Sequence, residues 1–188
     1  MTRNTNESYA LITGASGGIG LELAKEFAKN GINLVLVARS ENKLQTLADF
    51  LELEYKVKTK VIAKDLSLLE EVEALYQQLV HEKIQVDYLV NNAGFGDYAL
   101  FYEADWNKLH EMINLNITAL TRLSHLYVKD MLQRGFGKIM NVASTAAFCC
   151  KINCHHRAWQ KSSCAGYIHN LSKPTLQHII YIQMAKPC

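Results

Sequence analysis

Four of the chain's 10 glycines fall within eight residues, Thr13-Gly-Ala-Ser-Gly-Gly-Ile-Gly20. Glycines at this density permit a tight turn and let backbone N–H groups approach a ligand with no Cβ in the way. They also allow a helix to pack closely on the strand before it. The chemistry they suit is recognition of a pyrophosphate, because the helix that follows offers its N-terminal N–H groups and partial positive charge to the anion. Gly14, Ser16, Gly18, Ile19 and Gly20 are the candidate contacts. A glycine cluster can also be a plain turn. The context decides: a strand must precede it and a helix must follow.

A second chemical position lies downstream. Dinucleotide sites that select NAD place an Asp or Glu about 20 residues after the glycines, where it binds the ribose 2′-OH and repels a 2′-phosphate. Here the segment reads Val37-Ala38-Arg39-Ser40, with no acid. Arg39 offers a planar charged fork suited to a phosphate, with Ser40 and Ser16 as helpers. The competing reading is a solvated surface arginine. The expected cofactor is NADP.

The elements needed to position these residues are legible. Tyr9 to Thr13 is a short apolar run that stops at the glycines, as a buried strand does. From Ile19 to Asn30 the apolar Ile19, Leu23, Ala24 and Phe27 follow a helical spacing, and Gly31 suits the C′ position. Strand patterns recur at residues 33–38, 58–63, 86–91 and 138–142. Helical patterns lie between them at 41–53, 68–81 and 107–133. Strands alternating with helices of this length imply parallel βαβ crossovers. The expected fold is α/β, a doubly wound Rossmann-type sheet in the order 3-2-1-4-5.

Composition changes abruptly near Phe148. All five Cys and both Pro lie in residues 149–188, which carry five basic residues and no acid; the tail is thus +5 and the body −3, for a net +2. Two parts are expected: an NAD(P)-binding domain over 1–148, and an unrelated or poorly ordered tail over 149–188. The small net charge makes no whole-chain case for nucleic acid or membrane binding. No apolar run reaches the roughly 18 residues of a membrane helix, and the N-terminus has no secretory pattern. A cytoplasmic location is expected.

The glycine turn has the spacing G-x-x-x-G-x-G, and with four further motifs in order it resembles the short-chain dehydrogenase/reductase family over roughly residues 8–148. Asp65-Leu66 after the third strand is similar to the family's adenine contact. Asn91-Asn-Ala-Gly94 ends the fourth strand as the family's motif does, with Asn91, Ala93 and Gly94 as cofactor contacts. Asn116 matches the catalytic Asn and Ser144 the catalytic Ser. The resemblance implies hydride transfer between a nicotinamide and a small carbonyl or alcohol substrate. In that role Ser144 would bond the substrate oxygen, and Asn116 would hold a water of a proton relay. Plainer roles stand beside these. Ser144 or Asp65 could cap a helix, Asn116 could be a helix-bending core residue, and Asn91 could be partly a brace between strands.

The family also uses a Tyr with a Lys four residues later, about a dozen residues after the Ser. Position 157 is Arg, and no Tyr occurs between Ser144 and Gly166. Tyr167 and Lys173 are six apart rather than four, and Pro174 would interrupt a helix there. The expectation is a member truncated or frame-shifted after its fifth strand, with impaired catalysis. The alternative is a non-catalytic dinucleotide-binding protein or a remnant. Cys149, Cys150, Cys154, His155, His156, Cys164 and His169 could supply zinc ligands, but they lack paired knuckle spacing, so no metal is expected. Homo-oligomerisation is possible, and the substrate is not legible.

Overall fold

In a computed structural model, residues 8–97 and 101–143 are described. Five strands, β1 (Tyr9–Thr13), β2 (Asn33–Ala38), β3 (Thr59–Ala63), β4 (Val86–Asn91) and β5 (Lys138–Asn141), form one parallel sheet in the order β3-β2-β1-β4-β5. Leu11 pairs with Val35 on one side and Leu89 on the other. The doubly wound Rossmann-type sheet expected from the sequence is therefore present, with the expected strand order.

Parallel pairing demands crossovers, and the helices supply them: α1 (Gly18–Lys29), α2 (Glu41–Tyr55) and α3 (Leu69–His81). After β4 come α4 (Trp106–Ile113), a π-helical turn (Asn114–Ala119) and α5 (Leu120–Arg134). The two faces of the sheet bury separate apolar clusters. One packs Leu11, Val35, Val37 and Leu89 against Val72, Leu75 and Leu79 of α3 and Leu123 and Tyr127 of α5. The other packs Ile12, Leu34, Leu36 and Val90 against α1 and α2. Strands buried on both faces explain why β1 and β2 read as nearly continuous apolar runs.

Two details refine the reading of the helices. In α2 the expected stripe of Leu44, Leu47, Ala48 and Leu51 is the buried one. In α1 the buried positions are Gly20, Ala24 and Ala28, while Ile19, Leu23 and Phe27 are only partly buried against that cluster. Small residues every fourth position let α1 approach the sheet closely. The bulkier side chains then fill the flanks.

The opposite rim of the sheet is tied by polar groups. Asp87, on β4, accepts a 2.8 Å bond from Ser8 Oγ, and Arg134 donates to the Val86 carbonyl at 2.7 Å. Gly31 takes the left-handed C′ conformation after α1 (φ 72°), as expected. Among the described residues, β3 and β5 are the outer strands.

Candidate functional site

Every crossover leaves the carboxyl end of a strand, and these ends gather at one edge. Gly14, Ser16 and Gly17 follow β1, 39–40 follow β2, 64–66 follow β3 and 92–95 follow β4. All of them, with Val37 and Ala38 at the end of β2 and Leu115 of the π turn, line a cleft of about 300 Å³. The order 3-2-1-4-5 reverses direction between β1 and β4, and the crevice at such a reversal is where open α/β sheets bind ligands.

The glycine turn is held in place from β4. Thr13 Oγ1 donates to the Val90 carbonyl at 3.2 Å and accepts from the N–H groups of Asn92 and Ala93 at 3.0 Å each. The Asn92 amide donates to the carbonyls of Thr13 (2.9 Å) and Gly14 (3.2 Å). A Cβ on Gly20 would lie 2.3 Å from the Gly14 carbonyl oxygen, so close packing of helix on turn requires glycine there. The start of α1 carries no side-chain cap and no acid in its first turn. The first N–H groups of a helix have no partner within it, and Gly17 and Gly18 have open space where side chains would project.

Arg39 lines the cleft at the end of β2, with Asp65 and Leu66 across from it after β3. Its guanidinium lies 3.4 Å from Glu111 of α4 and 3.8 Å from Asp65. Asp65 Oδ1 accepts from the N–H (3.0 Å) and hydroxyl (2.8 Å) of Ser67. This is a local turn. The helix cap considered for Asp65 is absent, since α3 starts after Leu68 without a side-chain cap. Lys64 adds a second cation to the cleft wall and is paired with Glu71.

The other expected residues divide. Gly14, Ser16, Ala93 and Gly94 line the cleft, while Gly18, Ile19 and Gly20 form the first turn of α1 beside it. Asn91 is buried behind the cleft, where its amide donates to Ser124 Oγ (3.0 Å) and Asn141 Oδ1 (2.8 Å). This is the brace between β4, β5 and α5. Asn116 sits in the π turn, 3% exposed, and clamps the loop after β4. Its Oδ1 accepts from Phe95 N–H at 3.2 Å and its Nδ2 donates to the Phe95 carbonyl at 2.8 Å. Ser144, Tyr167, Lys173 and the cysteine–histidine cluster lie outside the described residues.

The sequence alone does not single out Asn92, Lys64, Phe95 or Leu115, which also line the cleft. Asn92 was visible in the Asn-Asn-Ala-Gly run, but nothing in its spacing says which amide faces the turn. Two described tyrosines have shifted pKa values, and both shifts are upward. Burial and a bond to Asp130 raise Tyr76; burial, with the nearby Tyr76 and Asp130, raises Tyr127. Neither lines the cleft.

A glycine turn at a helix N-terminus, at the switch point of a 3-2-1-4-5 parallel sheet, defines a dinucleotide-binding domain. The model of the short chain dehydrogenase family matches residues 8–188, and the chain belongs to that family. The human protein named inactive hydroxysteroid dehydrogenase-like protein 1 is 35% identical over 145 residues, covering 76% of this chain and 43% of its own length. The very-long-chain 3-oxoacyl-CoA reductase of Anas platyrhynchos is 36% identical over 145 residues, 74% of this chain and 46% of the relative. The chain thus spans less than half the length of these curated relatives. A solved short-chain dehydrogenase from Sphingobium yanoikuyae, in complex with NADPH, superposes with a TM-score of 0.86 at 30% identity, over 95% of this chain and 70% of that one.

Proposed function

We propose that this chain is an NADP-binding member of its family in which dehydrogenase chemistry is impaired. The observation that carries the cofactor preference is Arg39 at the wall of the cleft, where an NAD-selective site would hold a carboxylate. The uncapped, acid-free start of α1 suits the pyrophosphate. The NADPH complex of the Sphingobium relative supports the same choice. Gly14, Gly18 and Gly20 would shape the phosphate path, Asp65 and Leu66 would meet the adenine, and Ala93 and Gly94 would flank the cofactor beyond β4. NADP, when bound, supplies or accepts the hydride exchanged with a carbonyl or alcohol carbon.

The chain's own task is the proton. Ser144 would hydrogen-bond the reacting oxygen, and Asn116 would support a water in a proton relay. The donor itself is the difficulty, because residues 145–165 contain no Tyr and no tyrosine of the chain has a Lys four positions later. This favours a second reading, a dinucleotide-binding protein without turnover. The human relative whose name calls it inactive is in keeping with that reading.

Titration of NADPH and NADH against the wild type and Arg39→Ala tests the cofactor assignment. We expect the wild type to prefer NADPH. A charged hydrogen bond is worth roughly 1.5–3 kcal/mol, so Arg39→Ala should lose about 10-fold or more of that preference. Equal affinities in the wild type would refute the assignment.

A further inference from the structure

Arg39 is already engaged. Its guanidinium lies 3.4 Å from a Glu111 carboxylate oxygen and 3.8 Å from Asp65, and the side chains of Arg39 and Glu111 are 64% and 41% exposed. Glu111 comes from α4, 72 residues away in sequence. The ion pair therefore bridges the end of β2 and the helix that leads into the π turn. Asp65 belongs to the cleft wall after β3 and is held by Ser67. The Glu111 carboxylate has no other hydrogen bond or ion pair among the described residues.

A 2′-phosphate arriving at Arg39 would meet this pair. A guanidinium can share its donors between two anions, but a carboxylate 3.4 Å from it stands close to the phosphate as well. The two acceptors carry like charge, and like charges this close repel. NAD brings no phosphate to that position and leaves the pair undisturbed.

We propose that Glu111 sets cofactor specificity as a resident competitor for Arg39: it pairs with the guanidinium and must yield it when NADP binds. This inference rests on the reading that Arg39 recognises the 2′-phosphate. Glu111 thereby lowers NADP affinity without touching NAD affinity. The preference over NAD is narrower than Arg39 alone would give.

The test is a set of NADPH and NADH titrations on the full chain, comparing wild type, Glu111→Gln, Arg39→Ala and the double variant. Glu111 is partly exposed and its replacement by Gln keeps the shape, so the fold should persist; a melting curve of each variant checks this. An exposed pair is modest, and adding the relieved repulsion we expect Glu111→Gln to tighten NADPH about 3- to 10-fold. NADH should be unchanged, and the gain should vanish in the Arg39→Ala background. The gain should also shrink at high salt, where exposed charges are screened. Unchanged or weaker NADPH binding in Glu111→Gln, with the preference still lost in Arg39→Ala, overturns the role of Glu111 alone. Equal tightening of both cofactors, or a gain that survives in the double variant, overturns it too. If Arg39→Ala leaves the preference intact, the cofactor assignment and this inference fall together.

Discussion

At Gly20 a Cβ would meet the Gly14 carbonyl oxygen at 2.3 Å and the Asn92 amide nitrogen at 2.5 Å, whereas at Gly17 nothing lies within 4 Å. Two glycines three residues apart thus serve different ends. Gly20→Ala drives a methyl into the Gly14 carbonyl and the Asn92 amide, and such overpacking costs about 1–3 kcal/mol. Its melting temperature should fall and the glycine turn should shift. Gly17 has an extended backbone (φ 176°) that any residue adopts, so Gly17→Ala should change stability by less than about 1 kcal/mol. Its methyl would nonetheless project where a phosphate must approach, and NADPH affinity should drop. A Gly17→Ala protein that binds NADPH as the wild type does would show that the anion takes another path. At this scale the sequence is informative about residue types but not about directions. The run Asn91-Asn92 names two amides. Only their environments separate the brace at Ser124 and Asn141 from the tie to Thr13 and Gly14.

Among the elements, the π turn carries the most consequence. The apolar spacing over residues 107–133 predicts one helical stretch, and the helix does run from Trp106 to Arg134. Between Asn114 and Ala119 it widens to π geometry. A widening of this size barely moves the apolar stripe, so hydrophobic periodicity does not register it. Both roles weighed for Asn116 put it in a helix. Its place in a widened turn, facing the loop after β4, explains how a helical residue can grip another segment's backbone at both N–H and carbonyl. Removing the side chain leaves the two Phe95 groups without those partners, at a cost of about 1–3 kcal/mol. We expect Asn116→Ala to melt lower by that amount and to bind NADPH more weakly, because Gly94, Phe95 and Leu115 all line the cleft. Melting curves with and without NADPH check this. An unchanged midpoint together with unchanged binding would mean that the clamp is idle.

For the whole molecule, the sheet order was legible because each level of the sequence agrees with the next. Five apolar runs, crossovers long enough for helices and one glycine turn admit few parallel arrangements. The break in composition near residue 148 is legible as well, but composition does not state a structure, and the position where the family resemblance places a Tyr and a Lys lies beyond it. The expected outcome for the whole chain is cofactor binding with little turnover. On the proposed reading, Thr13, Asn92 and the glycines would hold a dinucleotide, and Ser144 would meet a substrate oxygen. A hydride delivered to a carbonyl still needs a proton at that oxygen. The tyrosines with raised pKa, Tyr76 and Tyr127, pack between α3 and α5 rather than at the cleft. General acid–base help is worth roughly 10²–10⁴ in rate. Typical enzymes turn over about 10 times per second, so NADPH consumption with aldehydes, ketones or quinones should stay below about 0.1 per second. The assay runs beside Ser144→Ala. Slow turnover that is equal in both proteins fits a site that positions without donating. Ordinary turnover that collapses in Ser144→Ala would show that a donor reaches the oxygen after all. Tyr167 with Lys173 would then be the first pair to substitute, since Lys173 is the first lysine after Tyr167.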